Sequence, residues 1–156
     1  MRAGGMKLKS RQDIAVPCED VFARLTDFAA FERRAISRGA SVRRLDEPPV
    51  SGAGAEWEVR FRLRGRERVL HLILAECDAP SRLAFTGISR GFNFESTAEL
   101  IPLSRQDTRM AVVLDAKARS LAGRMALRSL SLVRGATQRR FDTAVARFAQ
   151  EIAAGF

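Results

Sequence analysis

Residues 56 to 64 read Glu56-Trp-Glu-Val-Arg-Phe-Arg-Leu-Arg64, so apolar and charged side chains alternate along the whole stretch. Successive side chains of a β-strand point to opposite faces, and the pattern therefore predicts a strand with one face in a core and the other in water. The inward set is Trp57, Val59, Phe61 and Leu63. A sheet with one charged face must bury its other face against a second layer.

The same alternation continues in the next segment of the chain. Gly65-Arg66 is expected to form a two-residue hairpin turn, which fixes the register of the strand that follows. The inner face of that strand then consists of Leu70, Leu72, Leu74 and, at the strand end, Glu76. In this register His71 lies on the outer, charged face opposite Arg60.

Further strands are predicted on both sides of this hairpin. A first strand spans Met6 to Val16, and a short one spans Ala40 to Leu45. Three later strands have as inward residues Leu83 and Phe85, then Phe92, Phe94, Ser96, Ala98 and Leu100, then Met110, Val112, Leu114 and Ala116. Turn residues separate these strands, and about seven strands are expected in all.

Helical spacing of apolar residues occurs in two regions. Two short helices are predicted after the first strand, one around Val21 to Leu25 and one from Phe28 to Ala35. The stretch from Leu121 to Ala154 contains no proline and predicts one long amphipathic helix, with Gly123 and Gly135 as the places where it could break. Because only this helix is long enough to cover the sheet, the expected fold class is α+β, with a curved antiparallel sheet wrapped around it.

Two segments resemble a known superfamily. The opening Ile14-Ala-Val-Pro-Cys-Glu-Asp-Val-Phe-Ala-Arg-Leu-Thr-Asp-Phe28 is similar to that of bacterial polyketide cyclase/dehydrase and lipid-transport proteins of the START-like, or SRPBCC, superfamily. The segment Glu76-Cys-Asp-Ala-Pro-Ser-Arg-Leu83 is similar to a link between strands in that superfamily. The resemblance extends from about Met6 to Ile152. It implies a helix-grip fold with a cavity for an apolar or amphipathic small molecule, but no particular ligand, since members range from lipid carriers to cyclases.

Length and composition agree with a single domain. The 156 residues are 46% apolar and 29% charged, which is ordinary for a globular chain. We expect one domain over residues 6–154, with residues 1–5 as an N-terminal extension. No apolar run suits a signal peptide or a membrane span, so a cytoplasmic location is expected. Cys18 and Cys77 are expected to be reduced, partly buried thiols.

Few residues could support catalysis or metal binding. His71 is the only histidine and is expected to face outward, and the chain has no tyrosine. The loop Gly52-Ala-Gly54 lacks the lysine and the third glycine of phosphate-binding loops. We therefore predict no catalytic residue, no metal and no cofactor. Glu76 is the one strand carboxylate expected to face inward.

The residues expected to bind a ligand lie on the inner faces of the sheet and the long helix. They are Trp57, Phe61, Leu72, Phe85, Phe94 and Val112 from the sheet, and Arg134, Thr137, Phe141 and Val145 from the helix. Arg134 and Thr137, with Arg68 or Glu76, could orient a carboxylate or carbonyl of the ligand. Alternatively, Arg134 extends past the sheet edge and Thr137 bonds the helix backbone.

Three functions are compatible with these features. The first is a non-catalytic or weakly catalytic binder of a small hydrophobic ligand, such as a lipid, a polyketide-like compound or an aromatic compound. The second is an enzyme of cyclase or dehydrase type, in which Glu76 or Arg134 polarises a carbonyl in the cavity. The third is an adaptor that binds a macromolecule or an anionic membrane through a basic surface.

The basic charge is concentrated towards the C-terminus. Of the net charge of +9, residues 119–156 contribute +5, from seven arginines and two acids. Five of these arginines are expected to project away from the Phe141 stripe: Arg124, Arg128, Arg139, Arg140 and Arg147. They could hold the protein transiently against an anionic membrane, or only keep it soluble. Elsewhere the cations are interleaved with acids, so nucleic acid is not the expected partner, and the oligomeric state stays open.

Overall fold

The computed structural model describes residues 5–155, which form one curved seven-stranded sheet and four helices. The strands are β1 (Gly5–Ile14), β2 (Ser41–Arg44), β3 (Glu56–Leu63), β4 (Arg66–Asp78), β5 (Arg82–Ser89), β6 (Phe92–Pro102) and β7 (Thr108–Ala118). The helices are α1 (Cys18–Leu25), α2 (Phe28–Ser37), α3 (Leu121–Leu132) and α4 (Arg134–Ala154). Residues 1–4 of the expected N-terminal extension lie outside the described residues, and Gly5 already belongs to β1.

All strand pairs are antiparallel, and the strand order is β1-β7-β6-β5-β4-β3-β2. Helix α4 packs mainly along β1 at one edge of the sheet, whereas α2 packs against β2 at the other edge. The predicted helix-grip fold is confirmed. Trp57, Leu74 and Met110 are buried on the inner face, as the alternation of apolar residues requires.

The turn of the β3–β4 hairpin lies one residue earlier than expected. Leu63 pairs with Arg66, so the turn residues are Arg64 and Gly65, and both have positive φ, at 53° and 78°. Positive φ at both positions defines the type I′ turn, whose twist matches that of the strands. Every pairing is therefore shifted by two residues from the prediction. Because the shift is even, each side chain stays on its predicted face.

A bulge in β4 corrects the prediction for Glu76. Leu74 pairs with Phe85 but Glu76 pairs with Ala84, which leaves Ala75 as an extra residue between them. An extra residue inverts the alternation beyond it. Glu76 therefore points outward and forms an ion pair with Arg82, at 3.0 Å from Nε to the carboxylate. The expectation that Glu76 faces the cavity is wrong, and Cys77 packs against the core in its place.

The C-terminal helical region is divided at Val133, two residues before Gly135, which is one of the two predicted break points. Val133 has φ −115° and ψ 41°, so α3 ends before it and α4 begins after it. The Thr137 hydroxyl donates to the carbonyls of Leu130 at 3.2 Å and Val133 at 3.1 Å, which also accept from Val133 N and Thr137 N, so Thr137 links the end of α3 to the first turn of α4. As a result, α3 packs on the C-terminal end of β7 and the N-terminal end of β1. It forms a small second core there around Leu127.

The burial of the two cysteines limits their reactivity. Cys18 and Cys77 are free, and burial raises the pKa of both thiols, which makes them poor nucleophiles at neutral pH. Between residues 5 and 155, no helix combines the length and hydropathy that crossing a bilayer requires.

Candidate ligand-binding cavity

A cavity of about 510 Å³ lies between the inner face of the sheet and the helices. The sheet contributes Val42, Trp57, Val59, Leu72, Leu83, Phe85, Ser96, Ala98, Met110 and Val112. Helices α1 and α2 contribute Leu25, Phe28, Phe31, Glu32 and Ala35, and α4 contributes Ala144, Val145 and Phe148. This volume is within the range of about 300–1,000 Å³ found for small-molecule sites.

Small side chains at facing positions account for the space. Ser96 and Ala98 occupy successive inward positions near the middle of β6, and Ala144 lies on the facing helix. Because protein interiors are otherwise packed as densely as organic crystals, three small residues in the wall leave a gap that the neighbouring side chains do not fill.

The wall of the cavity is almost entirely apolar. Glu32 and Ser96 are the only lining residues with a polar side chain. Glu76 points away from the cavity, and His71 lies on the outer face, where its Nε2 contacts the Glu56 carboxylate. An acid–base reaction in this cavity would therefore have to use Glu32. Among the described residues, no group of three or more His, Cys, Asp or Glu is arranged to hold a metal ion.

Trp57 is held in the wall by an aromatic and cationic cluster. Its ring meets Phe28 edge to face, with centroids 5.2 Å apart and planes at 79°. The Arg44 guanidinium lies 5.0 Å from the Trp57 centroid, and the Asp46 carboxylate accepts from Arg44 Nε at 2.6 Å and from Nη2 at 2.9 Å. These bonds from Arg44 hold the pKa of Asp46 well below its ordinary value. Asp46 is therefore charged at neutral pH and keeps Arg44 over the rings.

Side chains of helices α2 and α4 meet at one end of the cavity. The rings of Phe31 and Phe148 are 5.5 Å apart, and Glu151 forms ion pairs with Arg34 and Arg38. Arg38 Nη2 lies 2.6 Å from Glu151 Oε1. These contacts join the helices beyond Phe148, whereas the exposed Ala144 lies about one turn earlier on α4.

A basic groove adjoins the cavity at Ala144. It is a shallow surface depression of about 380 Å³ along one face of α4, lined by Ala136, Arg139, Arg140, Thr143, Ala144 and Arg147. Ala144 lines both spaces, so the groove begins where the apolar wall ends. Within residues 5–155, the three arginines of the groove form no ion pair with a carboxylate, in contrast to Arg34, Arg44 and Arg109.

The structure brings together part of the predicted site. The cavity is lined by Trp57, Leu72, Phe85, Val112 and Val145. Phe94 instead packs in the second core beneath α3, and Phe141 packs between that core and the main core without lining the cavity. Phe61 faces Arg68 on the inner surface nearer the β3–β4 turn, outside the cavity. Arg68 also lies outside the cavity lining, and its Nε is buried without a hydrogen-bond partner among the described residues.

Arg134 and Thr137 also lie outside the cavity lining. Arg134 is exposed, and its Nη2 donates to the backbone carbonyl of Lys7 on β1 at 3.4 Å. Thr137 bonds the helix backbone at the α3–α4 junction. Both side chains therefore follow the alternative in which Arg134 extends past the sheet edge and Thr137 serves the backbone.

The wall contributed by α2 was missing from the predicted site. Phe28, Phe31, Glu32 and Ala35 are spaced at three and four residues, which places them on one face of a helix. That spacing is visible in the sequence. However, only the packing of α2 against β2 shows that this face looks into the cavity.

Comparison with known proteins identifies the family. Residues 6–153 match the family described as "Polyketide cyclase / dehydrase and lipid transport". The chain belongs to this family. The resemblance inferred from the residues around Pro17 and Pro80 is thereby confirmed. No curated protein matches the sequence significantly.

Solved structures with the fold of this family cover nearly the whole chain. TTHA0849 from Thermus thermophilus has a TM-score of 0.67 at 16% identity, over 96% of this chain and 98% of that one. The ZhuI aromatase/cyclase from Streptomyces sp. R1128 has a TM-score of 0.63 at 16% identity, over 97% and 98%. Norcoclaurine synthase from Thalictrum flavum, in complex with dopamine and hydroxybenzaldehyde, has a TM-score of 0.66 at 11% identity, over 97% and 88%. At these identities the likeness establishes the fold.

Proposed function

We propose that this protein binds a small apolar or amphipathic molecule, such as a lipid, a polyketide-like compound or an aromatic compound, in the cavity between the sheet and α4. The observation that carries the proposal is the 510 Å³ cavity whose wall is apolar except for Glu32 and Ser96. Moving apolar ligand surface from water to such a wall releases about 25 cal/mol per Å² buried. The scarcity of acid–base groups in the wall favours binding over catalysis.

Trp57 offers a direct test, because it is the only tryptophan and the chain has no tyrosine. Its emission therefore reports on the cavity wall alone. We expect a saturable change in Trp57 fluorescence on titration with at least one of dodecanoic acid, 1-dodecanol and N-phenyl-1-naphthylamine, at one molecule per chain. The third probe is aromatic because a protein of the same fold was solved with two aromatic molecules. An emission spectrum indifferent to all three compounds would contradict the proposal.

The basic groove favours a ligand with an acidic head group. An apolar chain in the cavity would reach the groove at Ala144, where Arg140 and Arg147 have no carboxylate partner among the described residues. Charged hydrogen bonds at exposed sites contribute modestly, about 0.5–1 kcal/mol each. The groove therefore adjusts selectivity, while the cavity supplies most of the affinity.

Replacing Arg140 and Arg147 by glutamine is expected to weaken dodecanoate binding about five- to tenfold and to leave 1-dodecanol binding unchanged. The two probes have the same alkyl chain and differ in the charge of the head group. The ratio of their dissociation constants therefore isolates the electrostatic contribution to binding. Both affinities are measured by Trp57 fluorescence. The matched control is Arg124→Gln with Arg128→Gln on α3, which should not change the ratio. An equal loss for both probes would show that the arginines act through packing rather than charge.

A further inference from the structure

Helix α3 has apolar residues on two sides. Its buried side consists of Gly123 and Leu127, with Leu130 partly covered. Its outer side carries three large apolar side chains that are mostly exposed: Leu121 at 73%, Met125 at 63% and Leu132 at 83%. A surface helix of a soluble protein ordinarily has polar residues there. Exposed apolar side chains that cluster on one surface mark an interaction site.

These three residues form one stripe, which we call the α3 stripe. At about 100° per residue, Leu121, Met125 and Leu132 fall within about 40° of one another and about 140° from Leu127. Val133, at the α3–α4 junction, is a further exposed apolar side chain, at 54%, but lies about 100° round from the stripe. Arg124 and Arg128 are both exposed; by the same arithmetic Arg128 lies within the stripe, whereas Arg124 lies on the flank between the stripe and Leu127.

The charged residues of α3 and of the chain on either side of it have a single sign. No carboxylate occurs between Asp115 and Asp142, while this interval contains seven cations: Lys117, Arg119, Arg124, Arg128, Arg134, Arg139 and Arg140. A helix whose exposed face combines apolar side chains with cations is suited to the interface of an anionic bilayer. Its apolar side chains lie among the acyl chains and its arginines lie at the head groups.

A second copy of this chain is a poorer occupant of the stripe. Two-fold pairing through the stripe would bring Arg124 and Arg128 of both copies close together without an acid to offset them. Like charges that face each other across an interface oppose association. From the combination of apolar exposure and unopposed positive charge, we infer that the α3 stripe docks on the surface of an anionic lipid membrane.

The docking surface lies close to the basic groove. Ala136, the first residue that lines the groove, follows Val133 by less than one helical turn. A membrane-bound α3 would therefore hold the N-terminal end of the groove near the head groups. The inference rests on the exposed residues of α3 and does not depend on what the cavity binds.

The test is cosedimentation of the full chain with vesicles of phosphatidylcholine, alone or mixed with phosphatidylglycerol. We expect binding to the mixed vesicles only, and weaker binding as salt rises. Because each arginine near an anionic surface contributes about fivefold, Arg124→Gln with Arg128→Gln should lower the partition coefficient by at least about tenfold. Leu121→Ser with Met125→Ser and Leu132→Ser should lower it by a similar factor or more.

Matched controls come from the other end of β7. Leu103 is 46% exposed and Arg105 is exposed in the β6–β7 loop, about 30 Å along the strand from α3. Leu103→Ser with Arg105→Gln should bind vesicles like the unaltered chain. Fluorescence of N-phenyl-1-naphthylamine, measured on every variant, reports the cavity separately, so a failure of docking and a failure of ligand binding are distinguishable.

Three results would overturn the inference. One is equal sedimentation with neutral and anionic vesicles, or with neither. Another is a loss of binding in the arginine variant but not in the serine variant, which would indicate contact with a polyanion without insertion of the stripe. The third is self-association of the unaltered chain in analytical ultracentrifugation that the serine variant abolishes, which would assign the stripe to a second copy.

Discussion

Replacing Ser96 and Ala98 together by phenylalanine is expected to weaken binding of N-phenyl-1-naphthylamine by more than about tenfold, because the cavity would no longer have room for the probe. Both residues point into the cavity from successive inward positions of β6. Two added rings would occupy the space that a ligand needs. Since they would fill a cavity and displace no neighbour, the melting temperature should be unchanged or raised.

The matched control for this variant lies on the same strand. Thr97 is between the two residues, and its side chain points to the outer face of the sheet. Thr97→Phe should leave the affinity for the probe unchanged. Calorimetry measures the affinities independently of Trp57. If the double variant binds as tightly as the unaltered chain, the ligand lies outside the cavity and the proposed function is wrong.

Gly123→Ala is expected to lower the free energy of unfolding by about 1–3 kcal/mol, the usual cost of forcing an extra carbon into a packed site. A Cβ at Gly123 would overlap the backbone carbonyl oxygen of Gly91 in the β5–β6 turn. That oxygen already accepts from Arg119 N at 2.7 Å, and the Ser120 hydroxyl caps α3 by accepting from Gly123 N at 3.0 Å. The backbone of the turn cannot retreat without losing the bond from Arg119, and α3 cannot shift without disturbing its cap.

Gly135→Ala is the control, because Gly135 is the corresponding glycine of α4. The nearest atom to its added Cβ would be Nη1 of the flexible Arg139 side chain, at 3.4 Å. Alanine in a helix is favoured over glycine by up to about 1 kcal/mol, so this variant should be neutral or more stable. Urea unfolding measures both. Equal effects of the two substitutions would mean that the contact between Gly91 and Gly123 does not hold α3 in place.

The fold was predictable because its strongest signals are periodic. The alternation around Trp57 determines which face of the sheet is buried, and face assignments survive an even shift of register. The single-residue error in the turn at Arg64 and Gly65 therefore had no effect on the inner face. The bulge at Ala75 did change the inner face, because one extra residue reverses the alternation beyond it. An alanine in the sequence gives no sign of a bulge.

The cavity was only partly predictable because it depends on how elements pack. The inward positions of Trp57 and Phe85 follow from the strand pattern. Whether a space remains depends on the volumes of residues from the sheet and the helices, including Ala98 and Ala144, which line one cavity only in the folded chain. The basic groove is different, because its residues lie on one face of α4 at helical spacing; only its contact with the cavity at Ala144 depends on the fold.

The hydrogen bonds from α4 to β1 also bear on aggregation. β1 is an edge strand, and open edge strands can pair with strands of other molecules. Arg134 donates to the carbonyl of Lys7, and Gln138 Nε2 donates to the carbonyl of Lys9 at 2.7 Å, so two acceptors of this edge are already occupied. The opposite edge, β2, is only four residues long. The open sheet is thus protected at both ends against the strand-to-strand addition that leads to fibrils.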